Sequence, residues 1–160
     1  MRCHLFYISA NQKLLMAERE KTAPIVSKQT SPWYRPGLRF QCQRCGRCCR
    51  SAGVVWLSEE EAEAMAATLA LQLWRFRLDF LVEAEQGYFL RDRLNRDCVM
   101  LEEGACRAYP GRPIQCRTYP FWLEILKSSE SWQEEGTRCP GIGRGRLWSF
   151  SEIRGIMGQV

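Results

Sequence analysis

Histidine is nearly missing from this chain. His4 is the only one in 160 residues, which argues against a Ser-His-Asp or Cys-His catalytic arrangement. Neither a phosphate-cradling glycine loop nor a dinucleotide fingerprint occurs. Lysine is scarce, at 4 against 19 arginines. Long apolar runs are also absent: none reaches the ~18 residues needed to span a bilayer. The short run Leu5 to Ile8 falls below the ~7–15 apolar residues of a secretory signal, and no small-residue cleavage site follows it. The expectation is a cytoplasmic protein with no membrane span.

What remains is ordinary in bulk. Apolar residues make up 46%, with six Trp, seven Phe and five Tyr, enough for one domain with a modest core and against disorder for the chain as a whole. The excess is in cysteine, with nine. Cys42, Cys45, Cys48 and Cys49 lie together as C-x2-C-x2-C-C, and Cys98, Cys106, Cys116 and Cys139 follow at wider intervals. In a reducing compartment disulfides are disfavoured, and thiolate ligation of a metal is the better default.

The spacing has a chemical reason. Cys-x2-Cys lets two sulfurs approach one ion across a turn, and a third cysteine at the same step can join them. Zinc takes four such ligands in a tetrahedron. Three cysteines at steps of three with a remote Cys139-Pro140 match, in part, the ferredoxin pattern for a four-iron cube. Adjacent Cys48 and Cys49 have Cα atoms ~3.8 Å apart, and consecutive side chains diverge in extended backbone. They more easily serve two metal positions, or leave one as a redox thiol. Spacing does not say which thiols share a metal. No histidine or carboxylate stands near residues 42–49 to suggest a catalytic zinc with an open position.

Charge fits the same picture. The formal net charge of +5 counts every thiol as neutral. A zinc ion or an oxidised four-iron cube held by four thiolates carries roughly −2, so two such sites would cancel most of the excess. Arg39, Arg44, Arg47, Arg50, Arg107, Arg112, Arg117 and Arg138 all flank cysteines. Much of the positive charge thus reads as counter-charge for metal sites, and a nucleic-acid partner is not expected.

Residues 1–36 read as a loosely held extension, with a short helix over Asn11 to Glu20 and proline breaks at Pro24, Pro32 and Pro36. Cys3 and His4 read as incidental. The domain, 37–160, starts with a Gly37 turn and a strand over Leu38 to Phe40. Gly46 stands where a chain wrapping a metal needs positive φ. Val54 to Leu57 reads as an apolar strand. Ser58 with Glu61 is a capping box for a helix burying Ala62, Met65, Ala66 and Leu69. A second helix is expected from Leu73 to Glu85, then a strand over Tyr88 to Leu90. Cys98 to Cys106 reads as a hairpin around Glu102-Glu103-Gly104, and Pro113 starts a helical turn carrying Cys116. Phe121 to Leu126 reads as a strand, residues 127–137 as a loop, and Ser149 with Glu152 as the cap of a last helix. The fold class is α+β: a small metal-stabilised single domain, with two helices after the knuckle and short strands carrying the downstream cysteines.

Several of these motifs occur together in an order that resembles the YkgJ-type cysteine-cluster proteins, described as zinc- or iron-chelating. They are Cys42-x2-Cys45-Gly46-x-Cys48-Cys49, Leu57-Ser58-Glu59-Glu60, Cys98 to Cys106 with Tyr109, Arg112-Pro113-x2-Cys116-Arg117-x-Tyr119-Pro120-Phe121, and Cys139-Pro140-Gly141-x-Gly143. The resemblance spans roughly residues 38–145. It implies that Cys42, Cys45, Cys48, Cys49, Cys98, Cys106, Cys116 and Cys139 are the metal ligands, and it leans slightly to an iron–sulfur cluster over zinc. A related domain occurs in flagellin lysine methylases, which are longer chains, and that activity is not carried over.

Three classes of function follow. The first is a metal protein with a redox, assembly or sensing role. The second is a zinc-stabilised module that binds a protein or nucleic acid. The third is a group-transfer enzyme dependent on its metal or cluster.

Overall fold

The computed structural model describes residues 31–50 and 53–159. The helix expected over Asn11 to Glu20, and Cys3 and His4, lie outside them. The chain builds one small aromatic core, leaves to build a second, and returns to finish the first.

Trp33 and Tyr34 already belong to the first core. Tyr34 is buried, and the Trp33 indole N–H donates to the Leu126 carbonyl at 2.8 Å. Gly37, at φ 91°, turns the chain into β1 (Leu38–Phe40), as expected. Apolar Leu38 and Phe40 point inward around exposed Arg39, the period-2 pattern of a half-buried strand.

The second core follows the cysteine knuckle. β2 is short (Trp56–Leu57) and leads to α1 (Glu59–Thr68). Ser58 and Glu61 form the expected reciprocal capping box, and Ala62, Met65 and Ala66 are buried. α2 (Leu73–Phe80) buries Phe76 completely. The sequence reading ran this helix on to Glu85. Instead, the chain turns extended at Leu81, and β3 (Leu81–Ala84) pairs antiparallel with β4 (Gly87–Leu90), giving a sheet of order β2-β4-β3. Gly87, at φ 124°, closes that hairpin, and the pairing with Tyr88 to Leu90 overrides the local helical pattern.

β5 (Leu101–Glu102) and β6 (Ala105–Cys106) form the predicted hairpin. Glu103 and Gly104 both have positive φ, 48° and 81°, as a two-residue hairpin with right-handed twist requires. α3 (Ile114–Thr118) starts after Pro113, as expected.

Two further expectations are overturned. Phe121 to Leu126 is not a strand: α4 covers Leu123–Leu126, with Phe121, Ile125 and Leu126 buried and Leu123 exposed. That spacing puts the apolar side chains on one helical face. Residues 127–137 are not a loop: Ser128 caps α5 (Ser129–Arg138) by accepting the Ser131 N–H, and Trp132 is the one buried residue of this polar helix.

β7 (Ile142–Trp148) then pairs antiparallel with β1, and α6 (Phe150–Met157) starts from the expected Ser149–Glu152 capping box. The β1–β7 register jumps between Arg39 and Phe40, whose partners are Leu147 and Ile142. The intervening Gly143 to Arg146 therefore bulges out. Phe121 stacks on Trp132 and packs against Phe40 and Trp148 to complete the first core. The architecture is α+β with short antiparallel strands. No helix among the described residues is long and apolar enough to cross a membrane.

Candidate metal centre

The backbone gathers the cysteine segments by three ties. The Gln41 N–H donates to the Gly141 carbonyl at 3.1 Å, bringing the Cys139 segment to the start of the knuckle. Gly46 is buried at φ 65°, and a Cβ there would meet the Gly104 carbonyl and Leu101. The knuckle thus rests directly on the β5–β6 turn, and the expected positive φ is matched by a close approach only glycine permits. A 3-10 turn (Arg47–Arg50) follows and carries Cys48 and Cys49. The Cys49 carbonyl accepts the Cys98 N–H at 2.7 Å, which ties this turn to the base of the hairpin.

The sulfurs fall into two groups. In the inner one, the Cys49 thiol is within hydrogen-bond reach of the sulfurs of Cys48, Cys98 and Cys106. The single Cys49 proton is shared among these three acceptors, which pushes the Cys49 pKa far up. The same bonds lower its partners, Cys48 and Cys106 to about 7 and Cys98 in the same direction. Cys116 joins this group electrostatically. Burial, reinforced by charge on Cys98, Cys48 and Cys106, raises it to about 12. In the outer group, Cys139 is buried and feels the charge of Cys45. Cys42 and Cys45 are exposed. Burial raises Cys139, while the Tyr119 hydroxyl and backbone N–H groups oppose it.

Three downstream cysteines share one local device. Cys98, Cys106 and Cys139 each accept a backbone N–H from two residues on, at Met100, Ala108 and Gly141. Hydrogen bonds to the charged form favour it, so these turns are built for thiolates, the form that ligates metal.

Seven of the eight predicted cysteines line one cavity of about 470 Å³; Cys98 is not on its wall but contacts Cys49. The described lining includes Arg44, Arg47, Arg112, Arg117 and Arg146 and no carboxylate. Arg112 lies 3.6 Å from the Tyr109 ring centroid and Arg44 lies 4.2 Å from it. The Arg112 Nε is buried with no hydrogen-bond partner. A buried N–H without an acceptor is costly.

The donor set therefore fits a thiophilic metal: all sulfur, flanked by cations and held by backbone N–H groups. Among the described residues, no three or more Cys, His, Asp or Glu side chains already stand at metal-holding distances. Glu135 went unremarked in the sequence. It accepts the Tyr119 hydroxyl at 2.5 Å and lies 3.6 Å from Arg138. Its only signal was the weak Ser128 cap of a helix with a single apolar anchor.

A family described as "Putative zinc- or iron-chelating domain" and written CxxCxxCC matches residues 41–140. No solved structure matches the chain.

Proposed function

The chain belongs to the CxxCxxCC family of zinc- or iron-chelating domains, and from that premise we propose that Cys42, Cys45, Cys48, Cys49, Cys98, Cys106, Cys116 and Cys139 hold an iron–sulfur centre with a redox, assembly or sensing role. The carrying observation is the cavity rimmed by seven thiols and five arginines. The partial ferredoxin spacing, three cysteines at steps of three with a remote Cys139-Pro140, favours a sulfide-bridged group over zinc.

The inner thiols Cys48, Cys49, Cys98, Cys106 and Cys116 form the retained part of the centre. Exposed Cys42 and Cys45, with buried Cys139 behind them, form its outer part, where a ligand or electron partner gains access. An iron–sulfur centre, when bound, supplies one-electron chemistry. The chain's own contribution is to hold thiolates with backbone N–H groups and to neutralise them with arginine.

Protein purified without oxygen tests this through its iron, zinc and acid-labile sulfide content. Brown protein with iron and sulfide in near-equal amounts is expected. Colourless protein carrying two tightly held zinc ions would contradict the iron–sulfur assignment and leave the ligand set standing.

A further inference from the structure

The arginines around the cavity are not equivalent. Arg146 pairs with Glu152 at 2.7 Å, and Arg47 donates to the Arg138 carbonyl at 3.4 Å. Arg44 and Arg117 are exposed. Arg112 differs in each respect. Its Nε is buried and without a hydrogen-bond partner, and none of the ion pairs among the described residues involves it.

The other such nitrogen, Nε of Arg77, belongs to a guanidinium already paired with Glu59. The Arg112 guanidinium carbon lies over the Tyr109 ring at 3.6 Å from its centroid, and its neighbours in the chain are Gly111 and Pro113. Gly111 packs so tightly on α1 that a Cβ there would strike Thr68 and the Ala64 carbonyl. Arg112 favours the charged form of Cys48, Cys106 and Cys116. A cation fixed by stacking and tight packing, on the wall of the cavity that the inner thiols line and outside every ion pair among the described residues, is placed to face the charge those thiolates carry.

We propose that Arg112 is the internal positioning residue of the metal centre, directing its guanidinium at the metal-bound sulfurs and setting the electrostatics of the inner thiolates. This rests on the metal reading above. It separates Arg112 from the remaining arginines, which screen charge from the rim.

Cobalt(II), followed by its sulfur-to-metal charge-transfer band and by chelator competition, is the probe for reduced wild-type, R112Q and R112K protein. R112Q is expected to bind about 10–100-fold more weakly, the usual cost of losing an outer partner of a metal ligand. Its band should move to lower energy, because the sulfur loses a neighbouring cation. R112K keeps the cation without the planar guanidinium and should fall between the two in affinity, with a smaller band shift. A packing role on Tyr109 alone would lower the melting temperature of both variants and leave the band in place, and that result overturns the inference. If R112Q does not fold, a wild-type band in R112K overturns it equally. Wild-type protein that takes up neither cobalt nor iron with sulfide contradicts the metal reading itself, which a failure confined to the variants does not.

Discussion

The inner and outer thiols share a cavity but are built differently. Cys49, Cys98, Cys106 and Cys116 are part-buried and sit where a 3-10 turn, a hairpin and a short helix meet, with exposed Cys48 beside them. Cys42 and Cys45 are exposed on a loop, anchored mainly through Gln41 to the buried Cys139 segment. The inner group exchanges hydrogen bonds sulfur to sulfur. The outer group reaches Tyr119 and Glu135 on the aromatic core. One chain thus gathers a tight group of thiols and an accessible group side by side, and neither alone accounts for eight cysteines.

The sharpest way to break that comparison is to remove one thiol from each side. Cys49→Ser should cost more metal affinity than the roughly 10–100-fold loss typical of outer partners. It should also lower the melting temperature of the loaded protein, because metal binding is coupled to folding. Cys45→Ser should lose metal only from the exposed part and keep most of the melting temperature. Equal losses in chelator competition and thermal melts would erase the distinction.

Gly46→Ala comes next. It forces an L-residue to φ 65° against the Gly104 carbonyl and Leu101, a strain of about 1–3 kcal/mol. Because the knuckle carries members of both groups, metal retention should fall on both sides together. Denaturant titration and metal analysis would show it.

The pH dependence belongs to the inner group. Cys48 and Cys106 titrate near 7 in the folded chain against an ordinary value near 9. Between these values the unfolded chain holds protons that the folded chain has released, so stability rises with pH across about 7–9. The contribution disappears as pH falls through 7. Cys116, raised to about 12, acts in the opposite sense and loses stability above about pH 9. Melting temperatures of reduced, chelator-treated protein should show the rise. Cys106→Ser should flatten it and Cys45→Ser should not.

Tyr119→Phe should give the smallest change. It deletes the hydroxyl that reaches Glu135 and Cys139, worth about 1 kcal/mol. Metal at the exposed part should loosen modestly while the inner sulfur-to-metal band stays fixed. An inner band shift would show that the two groups are one continuous site.

The sequence made some of this legible because the signals were local. Ser58 with Glu61 and Ser149 with Glu152 specify helix starts through their own side chains. Glu103-Gly104 specifies a hairpin through φ, and Gly46 after Cys45 specifies a left-handed turn. Other features depend on distant partners. Leu81 to Ala84 is extended because β4 lies beside it. α5 shows little apolar period because Trp132 alone anchors it in the core. The division of the thiols was illegible for the same reason: it depends on one hydrogen bond from Cys98 to Cys49 and one from Gln41 to Gly141. Arg112 looked like any arginine beside a cysteine, and only its buried Nε distinguishes it.

X-ray absorption at the edge of the bound metal tests the central claim, that these cysteines hold it, most directly. The account predicts a first shell of sulfur alone at ~2.3 Å, as for thiolate ligation, with a metal–metal distance in the second shell if the iron–sulfur assignment is right. A first shell dominated by nitrogen or oxygen at ~2.0–2.2 Å would contradict it.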